Sequence, residues 1–223
     1  MTFQTFPIAP VALPSPVSFE EVAAAEPQDM ASAIGFGLWR ALEAAGKDAR
    51  PLALIVTPAF QNERGRLFGW GASQWGLDHS RILLVRARRE AEAIWAFEET
   101  LKSGAVAAAL APLEAPSFVA TRRLDFAARA GRSSALVLRT RPAGDLSAAR
   151  LRWRIASAPS AAHPLDARAP GPVRLTAELA RSRDGRTGVF TLEQDYETHR
   201  LRLAAGLADY GLAAGQSESR RVA

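Results

Sequence analysis

Nine residues of this chain have side chains suited to binding an anionic or acidic partner. They are Arg86, Arg88, Arg89, Arg122, Arg129, Arg132, Arg152, Trp153 and Arg154. Guanidinium groups bind phosphates and carboxylates through paired hydrogen bonds, and arginine and aromatic side chains dominate the energetics of protein interfaces. We therefore predict that these residues contact a partner protein or DNA.

The first group lies where an ordinary helix does not favour cations. Arg86, Arg88 and Arg89 stand at the predicted start of a helix, where positive charge opposes the helix dipole. They could reach an acidic surface or a phosphate backbone. The alternative is local pairing with Glu90 and Glu92.

The second and third groups also have two interpretations each. Arg122, Arg129 and Arg132 recur at spacings of seven and three, which gives either a binding face or a solvated one. Arg152 and Arg154 flank Trp153 on a predicted strand, so one face presents two guanidinium groups while the other buries the indole. This strand could contact a partner, or Trp153 could simply close the edge of the sheet.

Residues for catalysis or metal binding are missing from the expected places. No phosphate-binding loop G-x-x-x-x-G-K-[ST] occurs, and its natural position, residues 18–32, is acidic and lacks lysine and glycine. Ala111 and Pro112 follow a predicted strand where a metal-binding aspartate would be required. The chain has no cysteine, no G-x-S-x-G elbow and three widely separated histidines. We predict no enzyme activity, no cofactor and no metal site.

The net charge of +5 is concentrated in the C-terminal half, because residues 122–223 carry eighteen basic and ten acidic side chains. This excess predicts that any DNA binding is weak, sequence-independent and sensitive to salt. All but two of the basic residues are arginine, which a GC-rich coding bias would also explain. The proline-rich N-terminus does not resemble a signal peptide, so a cytoplasmic location is expected.

Alternating strands and helices predict an α/β fold with a mostly parallel sheet flanked by helices. Helices are predicted from about Asp29 to Ala45, around 67–75, from about Arg88 to Lys102, where Trp95 should be in the core, and after Ser117. The predicted buried strands are Leu52–Thr57, Ile82–Val85, Ala105–Leu110 and Ala135–Leu138. Residues 18–26 could form a strand or a helical turn.

The C-terminal part has the alternating pattern of half-exposed antiparallel strands. These strands are predicted at Leu151–Ile155, Val173–Leu179 and Val189–Leu192, with an Asp184-Gly185 hairpin turn. We expect one domain at 18–212, with an antiparallel extension at about 149–194 and a last helix at about 195–210. Residues 1–17 are predicted to form a flexible arm and 213–223 a flexible tail.

Several motifs resemble the ImuA family of bacterial SOS-mutagenesis proteins. They are Gly-Arg-Leu at 65–67, Trp-Ala-Phe-Glu-Glu at 95–99, Lys-Ser-Gly-Ala at 102–105 and Arg-Arg-Leu at 122–124. The resemblance extends over roughly residues 18–210 and implies a fold like the RecA recombinase core. It also implies an accessory role in error-prone translesion synthesis, with ImuB, an error-prone DnaE-type polymerase and RecA as candidate partners.

The chain departs from RecA where RecA carries its chemistry, since the phosphate loop and strand-end aspartate described above are missing. The resemblance therefore predicts a non-catalytic adaptor. One alternative is a cell-division inhibitor of the SulA type, another degenerate RecA relative. A residual nucleoside triphosphatase is the third alternative.

Overall fold

A single mixed sheet forms the centre of the protein. The computed structural model describes residues 13–66, 68–73, 77–141, 146–163, 165–166, 168–195 and 197–204. The strands are β1 (Phe19–Ala24), β2 (Leu52–Val56), β3 (Ile82–Arg86), β4 (Ala108–Leu113), β5 (Ser134–Arg139), β6 (Leu151–Ala158), β7 (Arg174–Ser182), β8 (Gly188–Gln194) and β9 (Leu201–Leu203). Their order is β3-β2-β4-β5-β1-β6-β7-β8-β9, with parallel pairing from β3 to β6 and antiparallel pairing from β6 to β9. The predicted fold class is confirmed.

Helices cover both faces of the parallel part of the sheet. They are α1 (Met30–Ala45), α2 (Pro58–Arg64), α3 (Gly69–Ser73), α4 (Glu90–Lys102) and α5 (Phe118–Ala130). Strand β2 packs against helices on both faces of the sheet. Leu54 belongs to the same core cluster as Phe36 of α1, and its neighbour Ile55 belongs to the same cluster as Phe97 of α4. Both faces of this strand are therefore buried, as its continuous apolar sequence predicts.

Local capping fixes where two of the helices begin. The Thr57 hydroxyl accepts a hydrogen bond from the Phe60 amide at the start of α2, and the Ser117 hydroxyl accepts one from the Ala120 amide at the start of α5. Helix α1 ends at Gly46, whose φ of 52° is a conformation that glycine tolerates best.

Two boundary predictions need correction. Strand β4 begins at Ala108 and continues to Leu113, whereas the prediction placed it at Ala105–Leu110. Helix α2 was not among the predicted helices. Residues 18–26 contain strand β1, which decides between the two alternatives for that segment.

The predicted last helix is wrong over the part of it that the structure describes. The Asp195 carboxylate accepts hydrogen bonds from the Glu197 and Thr198 amides, and this closes a turn. Leu201–Leu203 then pairs with β8 as a strand. Residues 205–210 of the predicted helix and the predicted tail lie outside the described residues.

The start of the described chain also differs from the prediction. Residues 13–17 were assigned to a flexible arm, but Leu13 and Val17 pack against the hydrophobic core. The Pro14 carbonyl accepts a hydrogen bond from Arg40 at 2.9 Å. Residues 1–12 lie outside the described residues. None of the helices in the described part of the chain has the length and apolar character that a membrane span requires.

Candidate partner-binding surfaces

The loop between β1 and α1 lies at the carboxyl end of a central parallel strand, where open α/β sheets bind their ligands. Asp29, the residue before α1, is buried and accepts a hydrogen bond from the Ser157 amide at 2.9 Å. This bond holds the pKa of Asp29 below its usual value. A second Asp29 oxygen accepts from the Glu26 amide. An ionised carboxylate therefore stands at the N-terminus of α1, where an incoming phosphate would have to bind.

The end of β4 differs from its prediction, because an acidic residue does follow the longer strand. Glu114 comes directly after Leu113, and its carboxylate lies 3.1 Å from Arg141. Within the described ranges, no group of three histidine, aspartate or glutamate side chains could hold a metal ion. The carboxylate of Glu114 is thus engaged in a surface ion pair.

The first predicted group lies at the edge of the sheet, where β3 passes into α4. Arg89 pairs with Glu92 at 3.3 Å, and the other Glu92 oxygen accepts from the Arg88 amide. Glu90 accepts instead from the Glu114 amide. The exposed guanidinium groups of Arg86 and Arg88 make no ion pair with the described residues. Local pairing accounts for only one of the three arginines.

Two members of the second group lie on α5 and contact aromatic rings. The Arg122 guanidinium carbon is 5.9 Å from the centre of the Phe118 ring, and that of Arg129 is 4.7 Å from the centre of the Phe126 ring. Arg129 also pairs with Asp125 at 3.1 Å. Arg132 lies beyond the end of the helix, where its carbonyl accepts a bond from Arg50. The structure thus separates Arg132 from the other two.

The third group presents only one of its two guanidinium groups to solvent. Trp153 is only 2% exposed and packs between Phe36 and Phe190, so the indole is buried as predicted for one face of this strand. Arg152 lies opposite Glu21 of β1, and its Nε is 3.0 Å from that carboxylate. A buried acid on the neighbouring strand therefore holds Arg152, and only Arg154 of this group is exposed.

A buried ionic network beside Trp153 was not predicted from the sequence. Arg40 of α1 donates to both oxygens of Glu20, at 3.0 and 2.6 Å, and the Trp153 indole N–H donates to Glu20 at 2.8 Å. The signal that could have revealed it is the pair Glu20-Glu21 within an otherwise apolar strand, since unpaired buried acids are rare.

Helices α4 and α5 lie side by side and form one surface layer. Glu98 of α4 binds Arg123 of α5 at 2.5 Å and Lys102 at 2.6 Å. Burial disfavours the ionised form of Glu98, but these two cations outweigh burial and hold its pKa below the usual value. Trp95, predicted to be core, is instead 62% exposed on α4. The side chains of Trp70 and Trp75 lie outside the described set.

Comparisons with known proteins agree with the resemblance seen in the sequence, although no protein-family model matches the chain. The chain is 39% identical over 170 residues to Protein ImuA from two strains of Caulobacter vibrioides, NA1000 / CB15N and ATCC 19089 / CIP 103742 / CB 15. Each alignment covers 70% of this chain and 69% of the relative. The crystal structure of SulA from Pseudomonas aeruginosa aligns with a TM-score of 0.46 and 29% identity, covering 56% of this chain and 98% of SulA. At this identity and coverage of the Caulobacter proteins, the chain belongs to the ImuA family.

Proposed function

We propose that this chain is a non-catalytic accessory protein of the SOS response that supports error-prone synthesis past DNA lesions. In this role it binds ImuB, a Y-family-like protein, and an error-prone DnaE-type polymerase in the cytoplasm. Membership of the ImuA family, through a 170-residue match, is the observation that carries the proposal.

The β1–α1 loop supports the non-catalytic part of the proposal. Backbone N–H groups at a helix N-terminus bind phosphate when the site is open and free of negative charge. Here Asp29 is buried and ionised beside α1, and Glu26 stands three residues earlier. Nucleotide phosphates would meet electrostatic repulsion in this loop, so the fold is expected to act as a scaffold for binding proteins.

DNA is a weaker ligand in this proposal. Several guanidinium groups of the C-terminal half are already engaged, since Arg150, Arg174 and Arg186 each lie beside a carboxylate. We therefore expect sequence-independent binding that weakens steeply as salt is added.

Titration calorimetry with purified ImuB tests the proposal, with and without Mg-ATP. We expect wild-type protein to bind ImuB with the same affinity in both conditions and to give no binding heat with Mg-ATP alone. Micromolar binding of Mg-ATP, equivalent to roughly −8 kcal/mol, would contradict the non-catalytic role. No interaction with ImuB would contradict the adaptor role.

A further inference from the structure

Helix α5 presents an unusual set of side chains to solvent. Phe118, Val119 and Phe126 are 44%, 67% and 56% exposed. The other large solvent-facing side chains of this helix are the three arginines 122, 123 and 129. Its only acid, Asp125, is buried. The exposed side of α5 is therefore both apolar and cationic, with no negative charge of its own.

Contacts within the helix hold two of these arginines against aromatic rings. Arg122 lies over Phe118 and Arg129 over Phe126, at 5.9 and 4.7 Å from the ring centres. Such stacking attracts the guanidinium group to the ring. The edge donors of Arg122 make no ion pair with the described residues, whereas Arg129 also pairs with Asp125 at 3.1 Å. Because the ring already restricts the arginine side chain, binding a partner's carboxylate costs less conformational entropy.

The neighbouring helix extends this surface. The Glu98–Arg123 ion pair joins α4 to α5, and Gly131 at the end of α5 packs against the Leu101 carbonyl of α4. The exposed indole of Trp95 stands on the same two-helix layer. Tryptophan, arginine and phenylalanine are enriched where protein interfaces bind most tightly.

We propose that this α5 face, formed by Trp95, Phe118, Val119, Arg122, Phe126 and Arg129, docks an acidic segment with apolar side chains on a partner protein. Because α5 presents positive charge and no exposed acid, a complementary partner carries carboxylates. Because the same face exposes apolar side chains, the partner segment also carries apolar side chains between its carboxylates. The inference rests on the proposed function, because the segment would belong to ImuB.

The same face is poorly suited to nucleic acid. Stacking of successive bases requires a series of free aromatic faces. Of the three rings on this face, only the exposed Trp95 indole has no guanidinium group of the described residues over it. Val119 is more exposed than Phe118 and Phe126, and its aliphatic side chain cannot stack on a base. A protein partner therefore explains more of the surface than a DNA strand does.

Charge placed on this face should prevent docking. The double variant Val119→Glu with Phe126→Glu is expected to weaken ImuB binding about thirtyfold or more, and Arg122→Glu about tenfold, by calorimetry. Both variants should fold, because glutamate is a good helix former and these positions are exposed. Circular dichroism and thermal unfolding check this.

Matched controls place the same substitutions elsewhere. Val189, at 66% exposure on β8, is as exposed as Val119, so Val189→Glu with Leu165→Glu matches the double variant. Arg183→Glu, at the exposed β7–β8 turn, matches Arg122→Glu. The controls should bind ImuB within about twofold of wild type, since exposed positions outside an interface contribute little to affinity.

Three results would overturn the inference in distinguishable ways. If wild type binds ImuB and a folded α5 double variant binds equally well, the α5 face is not the docking surface, although the proposed function stands. If wild type does not bind ImuB, the proposed function and this docking role both fail. If the variant binds ImuB normally but no longer binds a fluorescein-labelled oligo-dT strand that wild type binds, the face binds DNA instead.

Discussion

Replacing Arg40 with alanine is expected to lower the free energy of unfolding by about 3–5 kcal/mol, because the change leaves a buried carboxylate without its cation. Arg40 provides two of the hydrogen bonds to Glu20 and a third to the Pro14 carbonyl. Among the described residues, only the Trp153 indole and the Val17 amide would still donate to Glu20. Urea unfolding followed by circular dichroism measures the loss.

A surface ion pair on the same helix gives the matched control. Arg200 lies 3.0 Å from Glu43 of α1, but its side chain is mostly exposed to solvent. Arg200→Ala should therefore change the free energy of unfolding by less than about 1 kcal/mol. Equal losses in the two variants would show that the buried Arg40–Glu20 pair contributes no more to stability than a surface ion pair.

Replacing Gly131 with alanine is expected to lower the free energy of unfolding by about 3 kcal/mol, through overpacking. A Cβ atom at this position would lie 1.8 Å from the Leu101 carbonyl oxygen and 2.9 Å from its carbon. The φ of −83° is one that alanine adopts easily, so the expected loss comes from the close approach of α4 and α5 and not from the turn itself.

Gly71→Ala is the control for this substitution. A Cβ atom added at Gly71 would have a Phe68 ring carbon at 3.7 Å as its nearest neighbour, which is an ordinary contact, and alanine favours the helical conformation of α3. Thermal unfolding should show a clear decrease in Tm for the Gly131 variant and little change for the Gly71 variant. A Gly131→Ala protein as stable as wild type would mean that the two helices are not packed this closely.

The strands of the parallel sheet were predictable because their apolar runs are short and well bounded. Strand β4 was misplaced by three residues, since its sequence of alanines offers no marker of register and Pro112 argued against a strand. The topology explains why Pro112 is tolerated. Strand β4 pairs with β2 only from Ala108 to Leu110, so beyond Leu110 only β5 pairs with this strand.

The last helix was mispredicted because Asp195 fits two local structures equally well. Aspartate before a helix caps it, and aspartate before a turn accepts bonds from the next amides in the same way. The choice depends on pairing between Leu201–Leu203 and β8, which is a tertiary contact. A sequence window around Asp195 does not contain that information.

The candidate surface was only partly predictable for a related reason. Helical spacing placed Arg122 and Arg129 on one side of α5, and the structure keeps them on the same helix. The exposure of Trp95 and Phe126 was not predicted, because a large aromatic residue in an amphipathic helix is usually core. Likewise, Arg152 pairs with the buried Glu21 instead of facing solvent. The two residues are neighbours only because β1 and β6 are adjacent in the sheet, and the order of the strands cannot be predicted from the local sequence.

Damage-induced mutation in the bacterium that encodes this chain is the most direct test of the proposed function. The frequency of rifampicin-resistant colonies after ultraviolet irradiation should be measured in wild type, in a deletion strain and in the deletion strain carrying a restored copy. We predict that the deletion strain loses most of the ultraviolet-induced increase and that the restored copy recovers it. A full increase in the deletion strain, together with filamentation of undamaged cells that overproduce the protein, would contradict the translesion role and favour a division inhibitor.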